Sequence, residues 1–236
     1  MENAFLILCL VIASAGYIVW YALSSSLRLP VRYQIMYDAN PPYVNRVLRR
    51  RTLAAILYAL IPLIIIRWTD WIERPTLRDL NISFAWNPEV ARYVGIGLLV
   101  VIVLSLITSR TQPSLELYPE VRVRFWRPHI LIKSALSWVI FIVAYEFFYR
   151  GLLLQALLFH LDEVPAIVAC TALYGLTHYH RLDRMTILSL IWSVISCVLV
   201  LRTGSLLPAI IIHLSLCLVM EWLSIRHHRE MYVRRT

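Results

Sequence analysis

Long runs of residues without a charge constrain this chain more than any other feature. The first run, Ala4–Leu23, holds 20 consecutive uncharged residues, and a transmembrane helix needs about 20 apolar residues. Six further apolar runs follow it: Thr52–Ile66, Tyr93–Ser109, Ser134–Leu161, Val164–His178, Met185–Leu201 and Thr203–Ile225. The second and fifth runs are short, and the fourth and seventh contain acidic residues. We predict about seven transmembrane helices, with six or eight as the alternatives.

Composition excludes most other classes of protein. The chain is 60% hydrophobic and only 16% charged, with a mean hydropathy of +0.68, whereas a soluble domain is nearer half apolar and a quarter charged. With only 6 Gly and 4 Cys, collagen-like and disulfide-stabilised folds are excluded. No stretch alternates as the strands of a membrane barrel do. The predicted fold class is an all-α, polytopic integral membrane helix bundle.

The basic residues predict the orientation of the bundle. With the N-terminus outside and the C-terminus inside, 17 Arg and Lys residues lie in cytoplasmic segments and 5 in outer segments, as the positive-inside rule requires. The formal net charge of +9 therefore sets topology in the lipid bilayer, and no nucleic-acid partner is expected. The acidic start and the absence of a small-residue cleavage site argue against a removable signal peptide.

Three regions are predicted along the chain. Residues 1–133 would hold three transmembrane helices, with a cytoplasmic linker over 24–51 and an outer interfacial segment over 67–92. Residues 134–225 would form a core of four helices, and residues 226–236 a basic cytoplasmic tail.

Ionisable residues inside a span mark the candidate functional site, because burying one in the bilayer costs at least a few kcal/mol. Glu146 and Arg150 lie four residues apart in the fourth run and can pair on one helix face. His178 ends the fifth run, and His213 lies midway along the seventh. The structural alternatives are an ion pair that fixes helix packing and, for His178, an interfacial histidine.

Cys217 and Glu221 follow His213 at four-residue steps and share its helix face. A carboxylate acting as general base, with imidazoles that position water and stabilise an oxyanion, is sufficient to hydrolyse an amide. The same histidines could instead bind a metal or haem. Soluble-protease HExxH, GxSxG and phosphate-cradling glycine motifs are absent from the sequence.

Three segments resemble the motifs of the CAAX-protease and bacteriocin-processing (CPBP) family. The string YEFFYRGLL at 145–153 is similar to the family's motif 1, EExxxR, which is usually followed by Gly. The string YGLTH at 174–178 resembles motif 2, an aromatic residue followed four positions later by His. The approach from Leu201 to His213 is similar to motif 3, HxxxN. The order and spacing agree over about residues 134–225.

The resemblance implies a glutamate-dependent intramembrane endopeptidase related to the Ras-converting enzyme. Glu146 takes the second glutamate of motif 1, Arg150 its arginine, and His178 and His213 the histidines of motifs 2 and 3. The first motif-1 glutamate, usually the base, is Tyr145 here, and the motif-3 asparagine is Cys217. We expect Glu221, Tyr174 or Tyr145 to compensate for Cys217 as an oxyanion donor. The implied mechanism needs no metal or other cofactor.

Three hypotheses on function therefore stand. The first is a protease that cleaves a membrane-embedded or membrane-associated protein or peptide. The second is a family member that has lost hydrolysis and binds a partner, and the third is a haem or metal protein that uses His178 and His213. The chain's 22 Arg and single Lys favour a prokaryotic source, so the expected location is a prokaryotic cytoplasmic membrane.

Overall fold

The computed structural model describes residues 2–25, 41–68, 80, 82–178 and 184–234. Within them the chain forms eleven α-helices, some of them joined by short π-helical segments. The α-helices are α1 (Glu2–Val11), α2 (Tyr17–Ser25), α3 (Pro41–Ala55), α4 (Ile61–Trp68), α5 (Pro88–Thr108), α6 (Gln112–Leu117), α7 (Pro128–Glu146), α8 (Leu154–Leu158), α9 (Glu163–Leu176), α10 (Arg184–Thr203) and α11 (Leu207–His227). The π-helical segments are π1 (Ile12–Gly16), π2 (Ile56–Leu60) and π3 (Phe147–Leu153).

Five of the described helical stretches are long and apolar enough to cross a membrane. They are Asn3–Ala22, Val44–Trp68, Pro88–Thr108, Pro128–Leu158 and Leu207–His227. The predicted fifth and sixth spans correspond to shorter apolar helices, Glu163–Leu176 and Ile187–Thr203. The all-helical, polytopic membrane fold is confirmed, while the count of seven and the orientation remain predictions.

The second span begins earlier than the sequence analysis predicts. Helix α3 starts at Pro41, so the prediction of a linker over 24–51 is wrong for residues 41–51. The four arginines of this stretch suggested a loop, but Arg51 is only 3% exposed and is ion-paired inside the bundle. The rest of the predicted linker, apart from the end of α2, lies outside the described residues, as do residues 69–79 and 81 of the predicted interfacial segment.

The continuous helix Pro128–Leu158, formed by α7, π3 and α8, is at the centre of the bundle. Helices α3 and α11 pack along α7, α5 packs on α11, and α9 packs on α10. Residues 144–157 of the central helix are all buried, whereas outer helices carry exposed apolar side chains such as Leu99 and Ile107. Such exposed apolar faces suit contact with lipid.

Each end of α11 is tied to the rest of the fold. At its start, the tight turn through Gly204, with φ of +61°, leads to Leu206, whose backbone N–H donates to the Ser83 carbonyl at 2.9 Å. At its end, a short parallel ladder joins β1 (Phe125–Trp126) to β2 (Tyr232–Val233). These attachments fix where α11 lies against α5 and α7.

Candidate active site

Glu146 is the last residue of α7 and is completely buried. Its Oε1 atom lies 2.5 Å from His213 Nδ1 on α11 and accepts from Trp192 Nε1 on α10 at 3.2 Å. Its Oε2 atom lies 3.3 Å from Arg150 Nε. The carboxylate is therefore the point at which α7, π3, α10 and α11 meet.

Arg150 pairs with Glu146, as their four-residue spacing predicts. The Arg150 Nε also donates to Ser196 Oγ on α10 at 2.7 Å. The guanidinium lies 4.3 Å from the centroid of the Tyr174 ring, a distance at which a cation is attracted to the ring face. The side chain is fully buried, so its positive charge balances the Glu146 carboxylate inside the bundle.

His213 lies between Glu146 and the surface of the site. Its side chain is 14% exposed, whereas that of Glu146 is 0% exposed. The imidazole ring packs 5.3 Å from the Trp192 ring and 6.5 Å from the Tyr145 ring, measured between centroids. A donor at Nδ1 facing the carboxylate leaves Nε2 as the nitrogen that can accept a proton.

His178 belongs to a second group of polar side chains beside the first. Thr177 Oγ1 lies 2.9 Å from His178 Nδ1 and 2.5 Å from the Tyr145 hydroxyl. The His178 ring stacks on Tyr174 at 5.2 Å, and Tyr174 lies 5.2 Å from Tyr145. Tyr145, which replaces the first motif-1 glutamate, thus connects the group of His178 to that of His213.

Cys217 and Glu221 lie further along α11, away from the Glu146 carboxylate. Cys217 is buried in an apolar cluster with Trp138 and Ile142. Glu221 is 1% exposed and accepts from Ser134 Oγ and from Trp138 Nε1. The shared helix face predicted for these residues therefore extends over two different polar clusters.

The sequence analysis did not single out Trp192, Ser196 and Thr177, which bond directly to the candidate residues. Trp192 and Ser196 are four residues apart on α10, so both face the Glu146–Arg150 pair. The sequence signal was weak, since Trp, Ser and Thr are ordinary residues in membrane helices. The i, i+4 spacing of Trp192 and Ser196 is the one pattern that could have indicated these two residues.

Both candidate histidines contact a neighbouring side chain through Nδ1. His213 Nδ1 contacts Glu146, and His178 Nδ1 contacts Thr177. Among the residues that the structure describes, no group of three or more His, Cys, Asp or Glu side chains is placed to hold a metal ion. The arrangement brings together a carboxylate, an imidazole and hydroxyl groups, which are the components of general acid–base chemistry.

One family model matches part of the chain. Residues 127–219 match the family described as Rce1-like, type II CAAX prenyl endopeptidase Rce1-like. The matched segment covers less than half of the chain but contains Glu146, Arg150, His178 and His213. It confirms the resemblance to the CPBP family. The chain matches no curated protein and no solved structure.

Proposed function

We propose that this protein, whose residues 127–219 match the Rce1-like family, is an intramembrane endopeptidase. Its reaction is the hydrolysis of a peptide bond in a membrane-associated protein or peptide. The observation that carries the proposal is the 2.5 Å contact between Glu146 Oε1 and His213 Nδ1 in a bundle that encloses the carboxylate. A buried carboxylate that orients an imidazole is a recurring device for activating a nucleophile.

In the proposed mechanism His213 is the general base. The difference in exposure supports this assignment, because the imidazole of His213 is partly exposed whereas the Glu146 carboxylate is sealed inside the bundle. His213 Nε2 takes a proton from a water molecule, whose oxygen attacks the carbonyl carbon of the peptide. The imidazolium then gives that proton to the departing amine, and the peptide C–N bond breaks. The resemblance alone would have assigned the role of base to a glutamate.

Glu146 and Arg150 supply the electrostatics of this step. Glu146 stabilises the imidazolium that forms on His213, and Arg150 Nε, 3.3 Å from Glu146 Oε2, orients the carboxylate. With His213 neutral, the single negative and single positive charge cancel, so the resting site carries no net charge. Such preorganised charge is worth more in a low-dielectric site than in water.

The second polar group provides the donors for the oxyanion. Tyr145 and His178 are linked through Thr177 Oγ1, and the Tyr145 ring centroid lies 6.5 Å from that of His213. We assign these two side chains to the developing negative charge on the substrate oxygen. They take the part that Cys217, buried against Trp138, is not placed to perform.

Quantitative mapping of peptide termini in host membranes tests the proposed function. The gene is deleted and restored as wild type, as Glu146→Gln or as Glu163→Gln, a control that makes the same change at an exposed position on α9. All proteins are matched for abundance in the membrane. We expect a cleavage product with wild type and Glu163→Gln that is lost with Glu146→Gln. The same product at wild-type level with Glu146→Gln would refute the proposal.

Two observations favour a second function, that of a family member which binds a partner without cutting it. The Glu146 carboxylate is completely enclosed, and Tyr145 and Cys217 replace two functional residues of the family motifs. This function predicts identical maps of termini for wild type and Glu146→Gln. It also predicts a stoichiometric partner that co-purifies from gently solubilised membranes with both proteins.

A further inference from the structure

A second buried ionic cluster lies outside the candidate active site. We call it the Arg51 cluster, and its members come from α3, α7, α11 and the segment before β1. They are Arg51, Glu120, Ser134, Ser137, Trp138 and Glu221. Arg51 and Glu221 are 3% and 1% exposed, whereas Glu120 is 19% exposed. A charged group this deeply buried is costly unless its partners are well placed.

All three nitrogens of the Arg51 guanidinium have partners. Nε and Nη2 donate to Glu120 Oε2 at 3.2 and 3.0 Å, and Nη2 also donates to Glu221 Oε2 at 3.3 Å. Nη1 donates to the Ser134 carbonyl at 3.2 Å and to Ser137 Oγ at 2.8 Å. The guanidinium carbon lies 3.7 Å from the Trp138 ring centroid. This planar fork uses the geometry that distinguishes Arg from Lys.

The Arg51 cluster and the Glu146–His213 contact lie at opposite ends of the interface between α7 and α11. Along α7 the contacts run from Ser134 to Glu146, and along α11 they run in the opposite direction, from Glu221 to His213. Eight residues of helix separate Glu221 from His213, which is about 12 Å. Between the two contacts, Cys217 is buried in the apolar cluster that includes Trp138.

We propose that Arg51 is a positioning residue for the Glu146–His213 pair, a role that rests on the proposed function. By binding Glu221 on α11 and two serines on α7, Arg51 fixes the rotation and height of one helix against the other. The Glu146–His213 contact depends on that register, and its geometry decides how well His213 accepts a proton. Arg51 lies outside the family match. The N-terminal helices therefore contribute to a site whose four candidate residues all lie in the matched segment.

The same N-terminal span makes another contact with the site. Tyr58, in π2, is 2% exposed, and its ring meets that of Tyr145 edge-on with the centroids 5.5 Å apart. Arg51 and Tyr58 therefore hold α7 at two levels, one near each polar cluster. This packing supports a positioning role for the span as a unit with α7.

Thiol labelling tests the register without relying on catalysis. Membranes carrying wild type, Arg51→Met or the control Arg49→Met, an exposed arginine on the same helix, are treated with N-ethylmaleimide. Modification of each cysteine is followed by mass spectrometry. We expect Cys217, which is 3% exposed, to react about tenfold faster in Arg51→Met, because local opening of α7 from α11 admits the reagent. Cys170 and Cys197, buried between α9 and α10, should stay protected in all three proteins.

Turnover of the cleaved peptide then tests the consequence for catalysis. We expect Arg51→Met to lower kcat about ten- to a hundredfold with little change in KM, and Arg51→Lys to restore part of kcat, because Lys keeps the charge without the fork. A global loss of structure would instead label all four cysteines. Unchanged labelling at Cys217, or faster labelling with wild-type kcat, would overturn the positioning role. A wild-type protein that cuts nothing would overturn the proposed function itself. Because the labelling does not depend on cleavage, it separates that failure from a failure of the positioning role.

Discussion

His213 Nδ1 lies 2.5 Å from Glu146 Oε1, although the two residues are 67 positions apart in the chain. They come from two antiparallel helices. The contact joins the end of α7 to the first half of α11. It combines a carboxylate that water does not reach with an imidazole that is partly exposed. The pair is thereby suited to pass a proton between water and substrate, with the carboxylate as the orienting partner.

The packing of α5 against α11 sets the position of His213 and can be tested at two glycines. A Cβ atom on Gly97 would overlap the Ile212 side chain, whose Cγ1 would lie 2.6 Å away, whereas a Cβ atom on Gly95 meets nothing within 4 Å. Both Gly→Ala changes gain helix propensity equally, so their difference isolates the contact. We expect Gly97→Ala to be less stable to thermal unfolding than Gly95→Ala by about 1–3 kcal/mol.

Ile212 precedes His213, so the same pair of variants also probes catalysis. Gly97→Ala should lower peptide cleavage, while Gly95→Ala should keep it at the wild-type level. Equal stability and equal cleavage in both variants would show that α11 does not depend on close contact with α5.

The buried ion pair predicts a large loss of stability when Arg150 is removed. Arg150→Met leaves the Glu146 carboxylate enclosed without its cationic partner, at a cost of about 3–5 kcal/mol. The control is Arg92→Met, since Arg92 pairs with Glu89 at the surface with side chains 59% and 51% exposed. That change should cost less than about 1 kcal/mol. Denaturation of the purified proteins in detergent measures both free energies of unfolding. A similar loss of stability in Arg150→Met and Arg92→Met would contradict the buried pairing.

The link from Tyr145 to His178 predicts an effect on catalysis without a matching effect on stability. Tyr145→Phe keeps the ring packing and removes the hydroxyl that lies 2.5 Å from Thr177 Oγ1. We expect cleavage to fall about a hundredfold, as for loss of one oxyanion donor, and the free energy of unfolding to fall by only about 1 kcal/mol. Thr177→Val breaks the same link at its centre and should give the same loss. Wild-type cleavage in both variants would remove the link from the mechanism.

His228, just beyond the end of α11, predicts a dependence of stability on pH. Burial disfavours the charged imidazole, and the nearby Arg122 adds repulsion, so the pKa of His228 lies below its ordinary value of 6.5 despite the opposing Leu115 carbonyl and Glu230. The unfolded chain therefore binds more protons than the folded protein as pH falls below 6.5, and stability is lost there. The melting temperature should fall more for wild type than for His228→Gln between about pH 8 and about pH 5. Parallel pH curves for the two proteins would exclude His228 as a source of this dependence.

Hydropathy predicts most of the fold because each long apolar run has one stable solution in a bilayer, a helix. It fails at the start of the second span, where Arg51 is read as the charge of a loop. The physical reason is that Glu120 and Glu221 neutralise Arg51, and both lie at least 69 positions away. Pairing over such distances is a property of the tertiary structure that local composition does not contain.

In the candidate site, too, the sequence predicts the local contacts but not the contacts between helices. The spacing of Glu146 and Arg150 predicts their ion pair, because four residues bring two side chains to one helix face. The contact of Glu146 with His213 and the bond from Trp192 depend on how α10 and α11 pack against α7, which spacing along the chain does not specify. The shared helix face of His213 and Glu221 was visible in the sequence, but their division between two clusters was not.

The most direct test of the central claim, that Glu146 and His213 act as one catalytic pair, is a double-mutant measurement. The rate of cleavage of the identified peptide is measured in proteoliposomes for wild type, Glu146→Gln, His213→Asn and the double variant, at equal amounts of folded protein. We expect each single variant to lose at least about a thousandfold and the double variant to lose no more than the worse single one, since residues that act as a unit are not additive. Losses that multiply in the double variant, or a Glu146→Gln protein that cleaves at the wild-type rate, would contradict the account.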